Sequence, residues 1–64
     1  MWIIIYLAKG REAVLKLRKA LENEGILVMV RQKTEEENPQ EAFYEVLVPH
    51  TEVEQAQDII ISEG

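Results

Sequence analysis

The chain contains no cysteine, although it has only 64 residues. Without cysteine there is neither a disulfide framework nor a thiolate metal site, so covalent cross-links do not compensate for the small size. The fold must therefore be stabilised by a packed core. A chain without cysteine suits a reducing compartment, and we expect a cytoplasmic protein.

Residues suited to catalysis are equally scarce. His50, Ser62 and Asp58 are each the sole member of their residue type. No glycine-framed turn presents Ser62 as a nucleophile, and the consecutive carboxylates of residues 35–37 diverge, whereas a metal site needs convergent ligands. We therefore expect a protein that is not an enzyme, with no catalytic residue, no cofactor and no metal site.

Long apolar runs are also missing. Residues 1–8 are apolar, but this run is far shorter than the roughly 20 residues of a membrane-spanning helix, and no basic residue precedes it. We interpret it as a strand rather than a signal peptide or an anchor. No membrane partner is expected.

Basic residues are absent from the second half of the chain. Residues 1–33 carry all seven lysines and arginines with three acidic residues, whereas residues 34–64 carry nine acidic residues, and the net charge is −5. An acidic surface for a basic partner is one interpretation. The simpler one, which we favour, is that a basic first helix lies beside an acidic second helix.

What the chain does contain is enough apolar material for a core. Hydrophobic residues make up 47% of the sequence and charged residues 30%, an ordinary globular balance. A chain of this length buries only about 60% of its unfolded surface, so we expect one domain, residues 1–64, of marginal stability.

Three segments have the pattern of β-strands. Residues 2–8 are rich in β-branched and aromatic types, residues 26–32 alternate, and residues 43–48 alternate until Pro49 stops them. A polar loop, residues 33–41, separates the last two. Since almost nothing in this loop can be buried, we expect it to be solvated and to be the most mobile internal segment.

Two segments have helical periodicity. In residues 11–24 one stripe is apolar, consisting of Ala13, Val14, Leu17, Ala20 and Leu21. Leu15 falls outside the stripe, and Gly25 is placed to end the helix in the left-handed conformation. A second helix is predicted over residues 52–62, and Thr51 with Glu54 has the spacing of a capping box at its start.

The element order is therefore β-α-β-β-α. A right-handed crossover joins the first two strands and a hairpin joins the second and third, which predicts the sheet order 1-3-2 with both helices on one face. This is an α+β fold, a ferredoxin-like unit without its last strand.

Three runs of residues carry a resemblance to a known family. Residues 20–26 read ALENEGI, residues 45–49 read EVLVP and residues 53–56 read VEQA. With the opening Met1-Trp2, the chain resembles a bacterial family of small prokaryotic signal transducing proteins. The resemblance implies a small cytoplasmic βαββα domain with a signalling role and no established active site. Similar short chains have been labelled glutamate decarboxylase, but 64 residues cannot supply a pyridoxal phosphate site.

Strand periodicity also predicts which side chains face the helices. Because Glu45 should avoid the core, the even-numbered residues of the third strand should face inward. With them we place Ile3, Ile5, Leu7, Ile26, Val28 and Val30. The opposite face would then carry Trp2, Ile4, Tyr6, Leu27, Met29, Arg31, Phe43, Glu45 and Leu47.

So much apolar surface predicts a homo-oligomer, most simply a dimer. The interface would be the nine residues of the open face, with Arg31 and Glu45 paired with each other or across a two-fold axis. The first strand, residues 2–8, adds a second possible contact, since it is an edge without the lysine or proline that normally guards one. The function expected is a non-catalytic regulatory or protein-interaction module.

Two other functions follow from particular residues. A small-ligand sensor would use His50, at a site where the polar loop and the turn before the second helix meet the sheet. A single-stranded nucleic-acid binder would stack bases on Trp2, Tyr6 and Phe43, but the acidic net charge opposes it, and we expect no nucleic-acid partner.

Overall fold

The structure, a computed structural model, describes residues 1–63; Gly64, the last residue of the predicted domain, lies outside the described residues. A single 3₁₀ turn, His50–Glu52, precedes the second helix. In chain order the other elements are β1 (Trp2–Lys9), α1 (Arg11–Asn23), β2 (Met29–Gln32), β3 (Phe43–Pro49) and α2 (Val53–Glu63).

The three strands form one sheet in the order β1-β3-β2, and both pairings are antiparallel. The crossover through α1 makes β1 and β2 parallel to each other, and β3 then fits between them. This confirms the predicted fold class, α+β with a ferredoxin-like βαββα layout.

The core lies between β3 and the two helices. Val46 and Val48 of β3 are fully buried in one cluster with Leu21 of α1 and Ala56 of α2. Because Val46 and Val48 are two residues apart, they share a sheet face, and both helices cover that face. We call it the inner face and the opposite one the outer face.

The apolar stripe of α1 is narrower than its sequence pattern. Val14, Leu17 and Leu21 are buried, whereas Ala20 is half-buried and Ala13 is exposed. Leu15 is exposed, as predicted. Only the centre of the stripe therefore contributes to the core.

The end of α1 has the hydrogen bonds of a Schellman motif. The Gly25 N–H donates to the Glu22 carbonyl at 2.9 Å, and the Ile26 N–H donates to the Leu21 carbonyl at 3.2 Å. Gly25 has a φ of +79°, which confirms its predicted left-handed conformation. Leu21 and Ile26 are both buried in the core cluster, so the helix end is closed by hydrogen bonds and by apolar packing.

Strand β2 is shorter than predicted. The sequence pattern begins at Ile26, but pairing with β3 begins at Met29, opposite Leu47. The Ile26 N–H is already bonded within the end of α1, so this residue closes the helix instead of extending the sheet. Val30 pairs with Val46 on the inner face, as the alternation predicts.

The start of α2 differs from the predicted capping box. The chain leaves β3 through the 3₁₀ turn, whose N-terminal cap is Pro49, with no capping hydrogen bond from a side chain. Thr51 therefore lies within that turn rather than at a helix N-cap, and the capping-box prediction is wrong. The His50 N–H instead donates to the Met1 carbonyl at 2.9 Å, which fastens the turn to the start of β1.

We expect alanine to be tolerated much less well at Gly10 than at Gly25. A Cβ on Gly25 would meet nothing within 4 Å, so Gly25→Ala should lower the free energy of unfolding by about 1–2 kcal/mol, the cost of the left-handed conformation. A Cβ on Gly10, where φ is +90°, would lie 3.2 Å from the Gln40 carbonyl oxygen. With this contact added to the strain, Gly10→Ala should cost about 3 kcal/mol.

Urea unfolding followed by circular dichroism measures both losses. Equal losses for the two variants would show that the approach of Gln40 to Gly10 carries no energetic weight.

Candidate functional site

The outer face of the sheet carries the odd-numbered residues of β3 and the residues paired with them. Trp2 pairs with Pro49 at one end, and Lys9 pairs with Phe43 at the other. Between them lie two complete rows across the three strands, Ile4–Leu47–Met29 and Leu7–Glu45–Arg31. The helices cover the inner face, so the outer face is the broadest uncovered surface of the sheet.

One end of the outer face is apolar. Trp2 is 41% exposed and Ile4 is 50% exposed, and Leu27, just before β2, is 61% exposed. Leu47 belongs to the predicted interface but is only 3% exposed, because it lies in the central strand with Ile4 and Met29 on either side. The exposed apolar area therefore surrounds Leu47 rather than including it.

A β-bulge in β1 changes two of the predicted face assignments. The register shifts between Ile4 and Tyr6, so Leu7 pairs with Glu45 on the outer face and Ala8 pairs with Tyr44 on the inner face. The prediction that Leu7 faces the helices is wrong: it is 45% exposed, whereas Ala8 is buried. The extra residue of the bulge reverses the alternation of every residue that follows it in the strand.

The same bulge moves Tyr6 out of the outer-face set. Its register partner is Val46, an inner-face residue, although Tyr6 is as exposed as Leu7. The pairing therefore removes Tyr6 from the outer-face rows, although Tyr6 is not among the side chains packed against the core. Leu7 takes its place in the candidate interface.

The other end of the outer face is charged. The Arg31 Nε lies 2.8 Å from the Glu45 Oε1, so these two residues pair within the chain, which is one of the two arrangements predicted for them. The Lys9 Nζ lies 3.4 Å from the Glu41 Oε2 and 5.9 Å from the centre of the Phe43 ring, within the range of a cation–π contact. The outer face is thus apolar at the Pro49 end of β3 and ionic at the Phe43 end.

The structure separates the two parts of the predicted sensor site. His50 is exposed and follows the last residue of β3, whereas the polar loop joins the first residue of that strand. Seven strand residues at about 3.3 Å each put roughly 20 Å between them. The prediction of one site shared by His50 and the loop is therefore wrong.

The polar loop is partly docked rather than wholly solvated. The carbonyl of Pro39 in the loop accepts a hydrogen bond from the Arg11 amide at 3.1 Å, and the carbonyl of Ala42, which directly follows the loop, accepts one from the Gly10 amide at 2.8 Å, both at the start of α1. Ala42 is fully buried, and the Thr34 hydroxyl accepts a bond from the Phe43 amide. The loop thus satisfies amide groups at the helix N-terminus.

The three aromatic residues considered for base stacking do not form a platform. Trp2 pairs with Pro49 at the last residue of β3, whereas Phe43 is the first residue of that strand. Tyr6 pairs with Val46, which lies on the inner face. Trp2 and Phe43 are separated by about 20 Å along β3, too far for adjacent stacked bases. This geometry gives no support to a nucleic-acid interface.

An open cleft of about 500 Å³ lies between the two helices. Its lining comes from the end of α1 and from α2, and consists of Ala20, Asn23, Glu24, Gln55, Asp58, Ile59 and Ser62. Both charged residues in this lining are acidic. The two helices lie beside each other, as the charge pattern predicted, and the ion pairs described in residues 1–63 do not join α1 to α2.

Within the described part of the chain, no group of three histidine or acidic side chains converges as metal ligands would. Neither of its helices combines the length and the hydrophobicity that crossing a membrane requires.

Comparisons with protein-family models, curated proteins and solved structures found no match to this chain. Membership of the prokaryotic signal transducing protein family remains a prediction that rests on residues 20–26, 45–49 and 53–56.

We expect hydrogen exchange to divide the polar loop into two parts. The amides of residues 35–37 donate no hydrogen bond in the structure of residues 1–63, so they should exchange at rates close to those of an unstructured peptide. The amides of Gly10, Lys33 and Phe43 are bonded at the base of the loop and should exchange as slowly as those of β3. Exchange at residues 35–37 as slow as in β3 would mean that something else orders the loop tip.

Proposed function

We propose that the protein is a non-catalytic interaction module that acts as a homodimer assembled through its outer sheet face. The cytoplasm is its proposed location, in keeping with the cysteine-free sequence, and a regulatory or signalling role is its proposed use, as the family resemblance implies. The observation that carries the proposal is the exposure of four apolar side chains on that face: Trp2, Ile4 and Leu27 at its apolar end, and Leu7 in the row of Glu45.

The exposure of these apolar side chains supports a partner of similar chemistry. Monomeric proteins rarely expose contiguous apolar patches larger than a few hundred Å². At about 25 cal/mol per Å², covering such a patch on each of two chains gives a gross gain of order 10 kcal/mol before the costs of association. A second copy offers the same patch, so a two-fold axis allows the two apolar ends to cover each other.

The charged end of the outer face is compatible with contact between copies. Glu45 is largely covered within the chain, and its carboxylate is already bonded to Arg31. Burying an ion pair that is already formed costs less than burying two separate charges. The pair can therefore lie at the border of an interface without opposing it.

A small-ligand sensor is the second candidate function. The observation in its favour is the cleft between α1 and α2, whose lining combines the polar residues Asn23, Gln55, Asp58 and Ser62 with apolar Ile59. A thermal-shift screen against nucleotides, amino acids and metal ions tests it. A rise in melting temperature that is lost in Asp58→Ala and kept in His50→Ala would favour this sensor over our proposal.

We expect Ile4→Lys to dissolve the dimer and Leu15→Lys to leave it intact. Both side chains are about half-exposed, but Ile4 lies on the outer face and Leu15 lies on α1, so the two variants add the same charge in different places. Size exclusion coupled to light scattering at about 100 µM protein measures the mass, and circular dichroism checks the fold. A wild-type protein of monomer mass under these conditions would refute the proposal.

A further inference from the structure

We propose that β1 pairs through its free edge with β1 of a second copy, about a two-fold axis and in one register. In that register Ile4 lies opposite Leu7 of the second copy, and Trp2 lies opposite its Lys9. The inference rests on the proposed self-association and assigns it a contact separate from the outer face.

Two hydrogen bonds show which residues of β1 direct their main-chain N–H and C=O groups toward β3 and which direct them away from it. The His50 N–H donates to the Met1 carbonyl at one end of the ladder, and the Gly10 N–H donates to the Ala42 carbonyl at the other. In an antiparallel pair every second residue bonds to its neighbour, and the residues between them point their N–H and C=O groups away. Counted inward from both ends, the residues of β1 that point away from β3 are Trp2, Ile4, Leu7 and Lys9.

The spacing of these four residues reads the same in both directions. The intervals are two, three and two residues, because the bulge adds its extra residue between Ile4 and Leu7. A regular strand would pair with itself in several registers. Here all four residues find a partner in only one register, in which the three-residue interval of one copy faces that of the other.

In this register the outer faces of the two copies also join into one continuous surface. Trp2, Ile4, Leu7 and Lys9 all lie in outer-face rows, so each outer-face residue meets another outer-face residue. A two-fold axis perpendicular to the sheet then gives six antiparallel strands with the helices of both copies on the same side. The half-exposed Trp2, Ile4 and Leu7 of both copies become one apolar stripe across the centre.

The charged residues of β1 do not oppose this pairing of the two strands. Lys9 is the sole charged residue of β1, and the two-fold axis places the two Lys9 side chains at opposite ends of the paired strands. Each then lies beside Trp2 of the other copy, where a cation–π contact is available. The other edge strand, β2, has four residues and includes Arg31, so it offers a shorter and more polar edge.

Area sets the expected strength of the contact. An edge of eight residues, about 27 Å long and about 10 Å thick, covers roughly 270 Å² on each copy, below the ~800 Å² per partner of a standard interface. Edge pairing alone should therefore be reversible, and a trapping method detects it better than a mass measurement.

Disulfide trapping tests the register directly, because the chain has no cysteine of its own. Ile4→Cys and Leu7→Cys proteins are mixed under mild oxidation, one of them labelled with nitrogen-15 because the two variants have equal mass. Opposed residues in a hydrogen-bonded pair have Cα atoms about 5.5 Å apart, within disulfide range, whereas stacked sheets lie about 10 Å apart. Ile4→Cys mixed with Leu15→Cys gives the baseline for random collision.

We expect the disulfide between Ile4→Cys and Leu7→Cys chains to exceed both homodimers and the baseline roughly tenfold, since only that pair lies within bonding distance. Equal cross-linking in all mixtures would overturn the edge pairing. If the wild-type protein were then still a dimer, and Met29→Lys dissolved it, the outer-face dimer would stand. A wild-type monomer with no preferred cross-link would overturn both.

Discussion

The structure depends on the burial of one side of β3. Val46 and Val48 are fully buried with Val14 and Leu21 of α1, and this cluster holds both helices on the inner face of the sheet. Two helices of 13 and 11 residues cover only that face. The apolar residues on the outer face are therefore left without a cover from the described chain, and the proposed function follows from that imbalance.

The outer face is divided along β3, and its two ends contribute differently to recognition. Apolar side chains surround Leu47 near Pro49, where covering them releases water and favours association. Near Phe43 the pairs Arg31–Glu45 and Lys9–Glu41 are already formed within the chain. Such pairs add little attraction but penalise misaligned partners, so the apolar end supplies energy and the ionic end supplies orientation.

The bulge in β1 is one feature that sequence reasoning missed, and it has two effects. It turns Leu7 outward and Ala8 inward, and it spaces the edge-facing main-chain groups unevenly. No glycine lies within β1 to mark such an irregularity. The one available signal is Ala8, a small side chain after six large ones, which fits a close approach to the helices better than Leu7 does.

The sequence by itself determined the order and type of the elements, the strand order, the inward direction of Val46 and Val48 and the ending of α1 at Gly25. These features arise from local periodicity, helix-end geometry and the handedness of crossovers, which short segments encode. Only the tertiary structure decided the bulge, the docking of the polar loop on α1 and the distance between that loop and His50. These depend on how β1, β3 and α1 fit together in space, because a residue's partner across a sheet is set by packing and not by its neighbours in the chain.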